Sequence, residues 1–291
     1  MLTGSMVALV TPMNGDGEIN YTDLGRLIDF HCEAGTQALV IAGTTGESAT
    51  LAHDEHVDIV RRACELSAGR IPIIAGTGSN STAQTLALSK EVASLPLAGL
   101  LIVTPYYNKP TQEGLYRHYS VIADAVDRPL ILYNVPGRTA VDLLPDTVAR
   151  LAKHDNIASI KDATAEVDRV RVLRDSCGES FTLLSGDDAT GAEFMLAGGD
   201  GVISVTANVA PAAMRALCDA ARAGNREAAT AIDAPMRLLH RDLFIESNPI
   251  PVKWAVTQMG LAGEGIRLPL TVLEDRHQAA VQAAMAASGV E

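Results

Sequence analysis

Lysine is scarce in this chain: five occur, Lys90, Lys109, Lys153, Lys161 and Lys253, against eighteen arginines. Four of the five fit helix or loop surfaces. Lys161 instead closes the apolar run Ile157-Ala158-Ser159-Ile160, which places an amine where a buried strand emerges. Two chemistries suit an amine in that position. It can neutralise a nearby carboxylate such as Asp162 or Asp187, or it can attack a ketone or aldehyde and carry the resulting iminium as an electron sink. The second demands a free amine. At an ordinary lysine pKa of about 10.4 only about one amine in 2,500 is unprotonated at pH 7, so a nucleophilic lysine needs surroundings that disfavour the ammonium by about 4 kcal/mol. Position alone leaves both readings open.

Other candidates stand at similar places. Tyr133 closes the run 130–133, where its phenol can either move a proton to and from a carbinolamine or merely cap a core. Thr44 and Thr45 lie in GTTGES, residues 43–48. Their hydroxyls and the backbone N–H groups of a Gly-flanked turn suit a carboxylate, although a tight turn into a helix uses the same residue types. His53 and His56 are spaced i, i+3 but lack a clear third ligand, so no metal is expected.

These residues need elements to hold them together. Apolar, β-branched or Leu-rich runs recur at 6–10, 38–42, 71–75, 99–103, 130–133, 157–161, 181–184 and 201–205. Most intervals carry a helical pattern, such as Leu24, Leu27, Ile28 and His31, or Leu115, Tyr119, Ile122 and Val126. Runs that are continuously apolar rather than alternating belong to parallel strands buried on both faces. Eight strand and helix units in series predict an α/β fold, a (β/α)8 TIM barrel, with a doubly wound sheet as the alternative. The segments after each run are polar or rich in Gly and Pro, and in a barrel they gather at one mouth. Beyond Gly224 no strand run follows, and 225–240, 251–258 and 271–287 read as helices. The expected organisation is a catalytic barrel over 1–224 and a C-terminal helical extension over 225–291, packed on the same domain.

Composition narrows the function classes. Hydrophobic residues make up 47% and charged residues 20% of the 291, the balance of a folded chain with a sizeable core. Lys+Arg 23 against Asp+Glu 35 gives 23 − 35 = −12, with no basic block, so neither nucleic acid nor an anionic membrane surface is an expected partner. The longest apolar stretch, 95–103, is too short to span a membrane and contains Pro96 and Gly99. No basic residue precedes Arg26, so a secretory signal is not expected. Cys32, Cys64, Cys177 and Cys218 form no C-x-x-C pair and read as free thiols in a reducing cytoplasm.

Five stretches in order, GTTGES at 43–48, TPYYNKP at 104–110, YNVPGRT at 133–139, IKDAT at 160–164 and SGDDAT at 185–190, resemble the dihydrodipicolinate synthase (4-hydroxy-tetrahydrodipicolinate synthase) family along nearly the whole chain. The resemblance implies a lyase that condenses pyruvate with L-aspartate 4-semialdehyde in lysine and diaminopimelate biosynthesis. It also implies a cytoplasmic homotetramer built as a dimer of dimers. By this resemblance Lys161 forms the pyruvate Schiff base. Thr44, Tyr133 and Tyr107 form a proton relay, with Tyr107 entering the neighbouring subunit's site. Thr45 would hold the pyruvate carboxylate and Arg138 that of the semialdehyde, while Gly186 and Ile203 match lining positions. No metal or organic cofactor is required. In lysine-inhibited members an allosteric site lies at the dimer interface, and Ser48, Ala49, His53, His56, Asn80 and Tyr106 match its positions; ordinary polar loop residues are the alternative. Gln84 stands where those members carry Glu, and Asp162 where the family more often has Glu.

Three other readings compete. A pyruvate-dependent aldolase such as N-acetylneuraminate lyase would share Lys161 and Tyr133, but Gly137-Arg138-Thr139 favours a short carboxylated aldehyde over a sugar. A non-catalytic binding barrel would have no need of a lone lysine at a strand end. GTGSNS at 76–81 can form an anion turn, but it follows the third strand rather than the seventh or eighth, where barrels usually bind phosphate.

Overall fold

Eight short strands pair in parallel and in chain order: β1 (Gly4–Ala8), β2 (Ala38–Ile41), β3 (Ile73–Gly76), β4 (Gly99–Val103), β5 (Leu130–Asn134), β6 (Ile157–Asp162), β7 (Thr182–Ser185) and β8 (Gly201–Ser204). β8 returns to pair with β1, Gly4 opposite Gly201 and Met6 opposite Ile203, so the sheet closes. That closure decides for the (β/α)8 barrel over a doubly wound sheet. The computed structural model describes residues 2–290; residue 1 of the expected barrel segment and residue 291 of the expected helical one lie outside the described residues.

The strands read as unbroken apolar runs because each serves two layers. Met6, Ala8, Val40, Ile74, Leu101, Ile131, Leu184 and Ile203 fill the barrel interior. Their neighbours Val7, Leu39, Ile73, Leu100, Leu132, Leu183 and Val202 face outward onto the helices. Those helices present the predicted stripes, such as Leu24, Leu27 and Ile28 of helix Tyr21–Glu33 and Leu115, Tyr119 and Ile122 of helix Gln112–Ala123.

β6 departs from simple alternation. Leu130 pairs with Ile157 but Ile131 pairs with Ser159, so β6 carries one extra residue there. Ile157 and Ile160, three positions apart, both pack in the outer layer. Strand side chains alternate with period two, and one inserted residue reverses the facing of everything beyond it. Without the bulge Lys161, four residues after Ile157, would face the helices. With it, Lys161 turns inward beside its register partner Tyr133.

The C-terminal helices differ from expectation in detail. The predicted helix over 225–240 is broken into Arg226–Asp233, a 3₁₀ turn Ala234–Met236 and Arg237–Asp242; Pro235 has no N–H to continue the ladder. The last helix starts at Asp275 rather than 271, because Glu274 is extended at ψ 138°. All four cysteines are free thiols, with Cys218 buried. Among the described residues no helix is long and apolar enough to cross a membrane.

The assignment of Lys253 to a surface is corrected. Helix Ile250–Gln258 buries Ile250, Pro251, Val252, Ala255 and Val256, and Lys253 with them. The Lys253 ammonium pairs with the Glu47 carboxylate, which is wholly buried and also accepts from the Arg267 N–H at 3.1 Å. Burial pushes the Lys253 ammonium below the usual lysine range, against the pull of Glu47. The Arg267 guanidinium adds ties to Glu55, to the Thr50 carbonyl at 2.9 Å and to the Gly17 carbonyl at 2.8 Å. The C-terminal segment is thereby bolted to the turn after β2.

Removing one partner of a buried pair strands the other charge. Lys253→Met is therefore expected to lower unfolding free energy by about 3–5 kcal/mol, and the double change Glu47→Leu/Lys253→Met to recover most of it. Denaturant unfolding of the three proteins checks this, and a small loss in the single variant refutes it.

Candidate active site

Lys161 is buried, and its Nζ stands 4.3 Å from the centroid of the Tyr133 ring. Among the described residues no carboxylate forms an ion pair with it. Both candidate neutralisers are engaged elsewhere. Alternation turns Asp162, next in the strand, to the outer face. There its Oδ1 accepts from Thr164 N at 2.9 Å and its Oδ2 lies 3.4 Å from Arg169 Nε. Arg169 also makes a bidentate contact with Asp142, at 2.8 and 3.1 Å. Asp187 caps helix Asp188–Leu196, its Oδ2 accepting from Thr190 N at 2.9 Å and Thr190 Oγ1 at 2.7 Å. Lys161 is thus not the neutralised partner of either group.

A cavity of about 130 Å³ opens beside the amine at the C-terminal ends of the strands. Thr44, Thr45, Tyr133, Arg138, Lys161 and Gly186 all line it. Arg138 lies on the one-turn helix Pro136–Thr139 directly after β5, and Thr44 and Thr45 on the turn after β2. Gly186 is needed for space: a Cβ there would stand 2.9 Å from Lys161 Cε and 2.7 Å from Ala163 Cβ. Two predicted residues lie off this wall. Ile203 packs in the barrel interior, 1% exposed, and Val205 lines the cavity in its place. Tyr107 follows β4 in the left-handed region, φ 75°, and is 89% exposed.

The wall also contains residues that sequence reasoning missed. Phe244 and Asn248 come from the connection before helix Ile250–Gln258. Asn248 Nδ2 donates to Thr45 Oγ1 at 3.0 Å, and its carbonyl accepts from Arg138 Nη2 at 3.1 Å. The only local signal was Asn-Pro at 248–249, a turn marker within a helical region.

A second cavity, of about 520 Å³, lies alongside and shares Thr44, Val135 and Arg138 with the first. Ser48, Ala49, His53, His56, Gln84 and Tyr106 line it. Asn80 does not; its carbonyl accepts from Asn108 Nδ2 at 2.8 Å. His53 contacts Glu91 at 2.8 Å and His56 the Gly76 carbonyl at 2.7 Å, and burial lowers the His56 pKa. The neutral His56 imidazole donates its Nε2–H to that carbonyl. Gln84 Oε1 accepts from the Ser79 hydroxyl at 3.0 Å. The glycines of GTGSNS have a packing cause: a Cβ at Gly76 would stand 2.4 Å from the Ala42 carbonyl oxygen, and one at Gly78 2.4 Å from Val103 N. Close backbone approach, not an anion, accounts for them.

A model of the dihydrodipicolinate synthetase family matches residues 1–288. A protein of Thioalkalivibrio sulfidiphilus named 4-hydroxy-tetrahydrodipicolinate synthase is 58% identical over 290 residues, covering 100% of this chain and 99% of its own. One of the same name from Methylococcus capsulatus is 57% identical over 290 residues, with 100% of both covered. Among solved structures, the chloride-inhibited dihydrodipicolinate synthase of Acinetobacter baumannii complexed with pyruvate superimposes with a TM-score of 0.98 at 49% identity, covering 100% of each chain. The enzyme of Cyanidioschyzon merolae with lysine bound gives 0.96 at 36% identity, covering 100% of this chain and 99% of that one.

The tight packing at Gly186 generates a test. Gly186→Ala forces the Lys161 side chain aside, and a misplacement of about 1 Å costs about 10²-fold in rate. A drop of that order in kcat with melting temperature little changed is expected. Unaltered turnover would show that Lys161 has room to spare.

Proposed function

Because the chain belongs to the dihydrodipicolinate synthetase family, it is a Schiff-base lyase, and we propose that Lys161 is the amine that joins pyruvate to L-aspartate 4-semialdehyde. The observation that carries this assignment is a buried lysine with no paired carboxylate among the described residues, opening with Tyr133 onto a small cavity lined by hydroxyls, a guanidinium and the helix-capping Asp187. The Lys161 amine adds to the pyruvate ketone carbon, and the carbinolamine loses water to give an iminium. The methyl group then releases a proton, and the enamine forms a carbon–carbon bond to the aldehyde carbon. The amino group of the former semialdehyde attacks the iminium carbon and expels the Lys161 amine as the ring closes.

Tyr133, within reach of the amine, passes protons in the carbinolamine steps, with Thr44 as the next hydroxyl. Thr45 receives the pyruvate carboxylate, and Arg138 takes that of the semialdehyde as a charge-assisted pair. Gly186 leaves space for the lysine, and Ile203 shapes the pocket through its backbone. The exposed Tyr107 is suited to completing the relay of a neighbouring subunit, in a homotetramer assembled as two dimers. Residues 1–224 and 225–291 act as one catalytic unit, a reading supported by the Glu47–Lys253 and Asn248–Thr45 contacts. The biosynthetic activity and free thiols fit a cytoplasmic protein.

The second cavity supports a further element of the reading, an L-lysine effector. Six of seven expected residues line it, and a relative has been solved with lysine bound. Gln84 offers the ligand ammonium a neutral acceptor where a carboxylate would add charge.

Two experiments test these assignments. With pyruvate and borohydride, mass spectrometry should find a reduced adduct on Lys161 alone. Lys161→Ala should abolish it and lower the rate by several orders of magnitude; an adduct on another lysine, or none, overturns the mechanism. L-lysine should inhibit weakly, and Gln84→Glu should strengthen inhibition by about 5- to 30-fold, roughly 1 to 2 kcal/mol, leaving both substrate KM values in place. Submicromolar inhibition of the unaltered protein, or no gain on introducing Glu, removes Gln84 from that role.

A further inference from the structure

Behind the two side chains that meet at the cavity, a chain of polar contacts runs along the outer side of the barrel. Tyr133 and Lys161 are register partners, and so are the residues that follow them, Asn134 and Asp162. Alternation turns this second pair outward. Both are buried, as is Arg169 at the start of helix Arg169–Cys177. Asp142, in the connection after β5, joins them. Its Oδ1 accepts from Asn134 Nδ2 at 2.7 Å and from Arg169 Nη2 at 3.1 Å, and its Oδ2 accepts from Arg169 Nη1 at 2.8 Å. Asn134 Nδ2 also reaches Asp162 Oδ2 at 3.4 Å, and Arg169 Nε stands 3.4 Å from the same oxygen.

The Asn134 amide fits only one way round. Its oxygen accepts from the Leu143 N–H at 2.9 Å, and its nitrogen faces carboxylates, which accept and cannot donate. Burial alone would push the Asp142 carboxyl up, but hydrogen bonds from Arg169 and Asn134 hold it below the usual aspartate range. The bridge is therefore charge-assisted, the stronger kind.

None of these residues lines the Lys161 cavity. Asn134 and Asp162 are instead the last residues of β5 and β6, where the strand ladder runs out and the side chains must hold the two ends together. We propose that Asp142 is a positioning residue for the Schiff-base chemistry: through Asn134 and Arg169 it ties the ends of β5 and β6 and so fixes the Tyr133 phenol against the Lys161 amine. The proposal rests on the roles given to Lys161 and Tyr133 above. Arg138 is held separately, by the Asn248 carbonyl at 3.1 Å and by its own helix, whose Thr139 hydroxyl donates to the Val141 carbonyl at 2.9 Å. Loosening the bridge should slow the steps with pyruvate and leave semialdehyde binding in place.

Pyruvate in deuterium oxide, without the second substrate, isolates those steps. The amine adds to the ketone and water leaves; the iminium loses a methyl proton to give the enamine. A deuteron from solvent returns to that carbon, and hydrolysis releases pyruvate and the free amine. Methyl exchange is followed by proton NMR well below the melting temperature, above the background of Lys161→Ala. In Asp142→Ala the exchange rate and kcat should both fall about 10- to 100-fold, the loss that a displacement of about 1 Å carries, with the semialdehyde KM within about three-fold. Asp142→Asn keeps the oxygen shared by Asn134 and Arg169 and should stay within about five-fold of the unaltered rate. A lowered melting temperature with unchanged exchange marks a merely structural bridge and overturns the proposal. A raised semialdehyde KM with unchanged exchange also overturns it, placing Asp142 behind Arg138 instead. If Asp142→Ala does not fold, Arg169→Lys decides: it keeps the charge without the fork, so exchange should fall about 10-fold, and an unchanged rate refutes the role. Equal exchange in the unaltered protein and all variants sinks this proposal alone, whereas no exchange and no borohydride adduct in the unaltered protein take it down together with the functional reading beneath it.

Discussion

A lysine amine on the inner face of a closed sheet, with no carboxylate paired to it among the described residues, is the constraint around which this molecule is arranged. Three features maintain that isolation. Barrel closure sets the amine's residue between its register partners Tyr133 and Leu184. The extra residue in β6 turns Lys161 inward and Asp162 outward. Arg169 then draws Asp162 and Asp142 into a cluster on the outer side of the strands. The Tyr133 ring face, 4.3 Å from the amine, supplies polarisable contact without a negative charge.

The two buried lysines show how environment separates roles. Lys253 has Glu47, and the pair joins a helix to a turn. Lys161 pairs with no acid among the described residues, and it faces a cavity. The structural pair serves the chemical one, because Glu47 lies in the same GTTGES turn as Thr44 and Thr45 and holds a left-handed backbone at φ 58°. With Asn248 on Thr45 and Arg138 on Asn248, the C-terminal segment reaches the site from one side while the strand ends reach it from the other. Chemistry distributed this way depends on packing far from the amine.

The two cavities share Thr44, Val135 and Arg138. A ligand that moves any of these from one side changes what the other side presents, and such coupling is reciprocal by thermodynamic necessity. Thr44 and Arg138 are the polar groups of that common wall, so a ligand in either cavity would meet them.

Much of this was legible in the linear chain, for a physical reason. Parallel barrel strands are buried on both faces, so they appear as apolar runs, and the mouth residues follow those runs directly. Lys161, Tyr133, Thr44 and Thr45 could therefore be named as candidates from local position, whereas Arg138 and Gly186 came only with the family resemblance. Three matters required the folded chain. The parity of β6 depends on one bulged residue, and no local pattern around Ala158 distinguishes inward from outward. Lys253 looked like a surface residue because its partner lies 206 residues away, and Asn248 drew no notice because Thr45 lies 203 residues away. Local sequence specifies which elements form and what stands at their ends; which distant side chain closes each buried polar bond is set only when the barrel shuts and the C-terminal helices pack across its mouth.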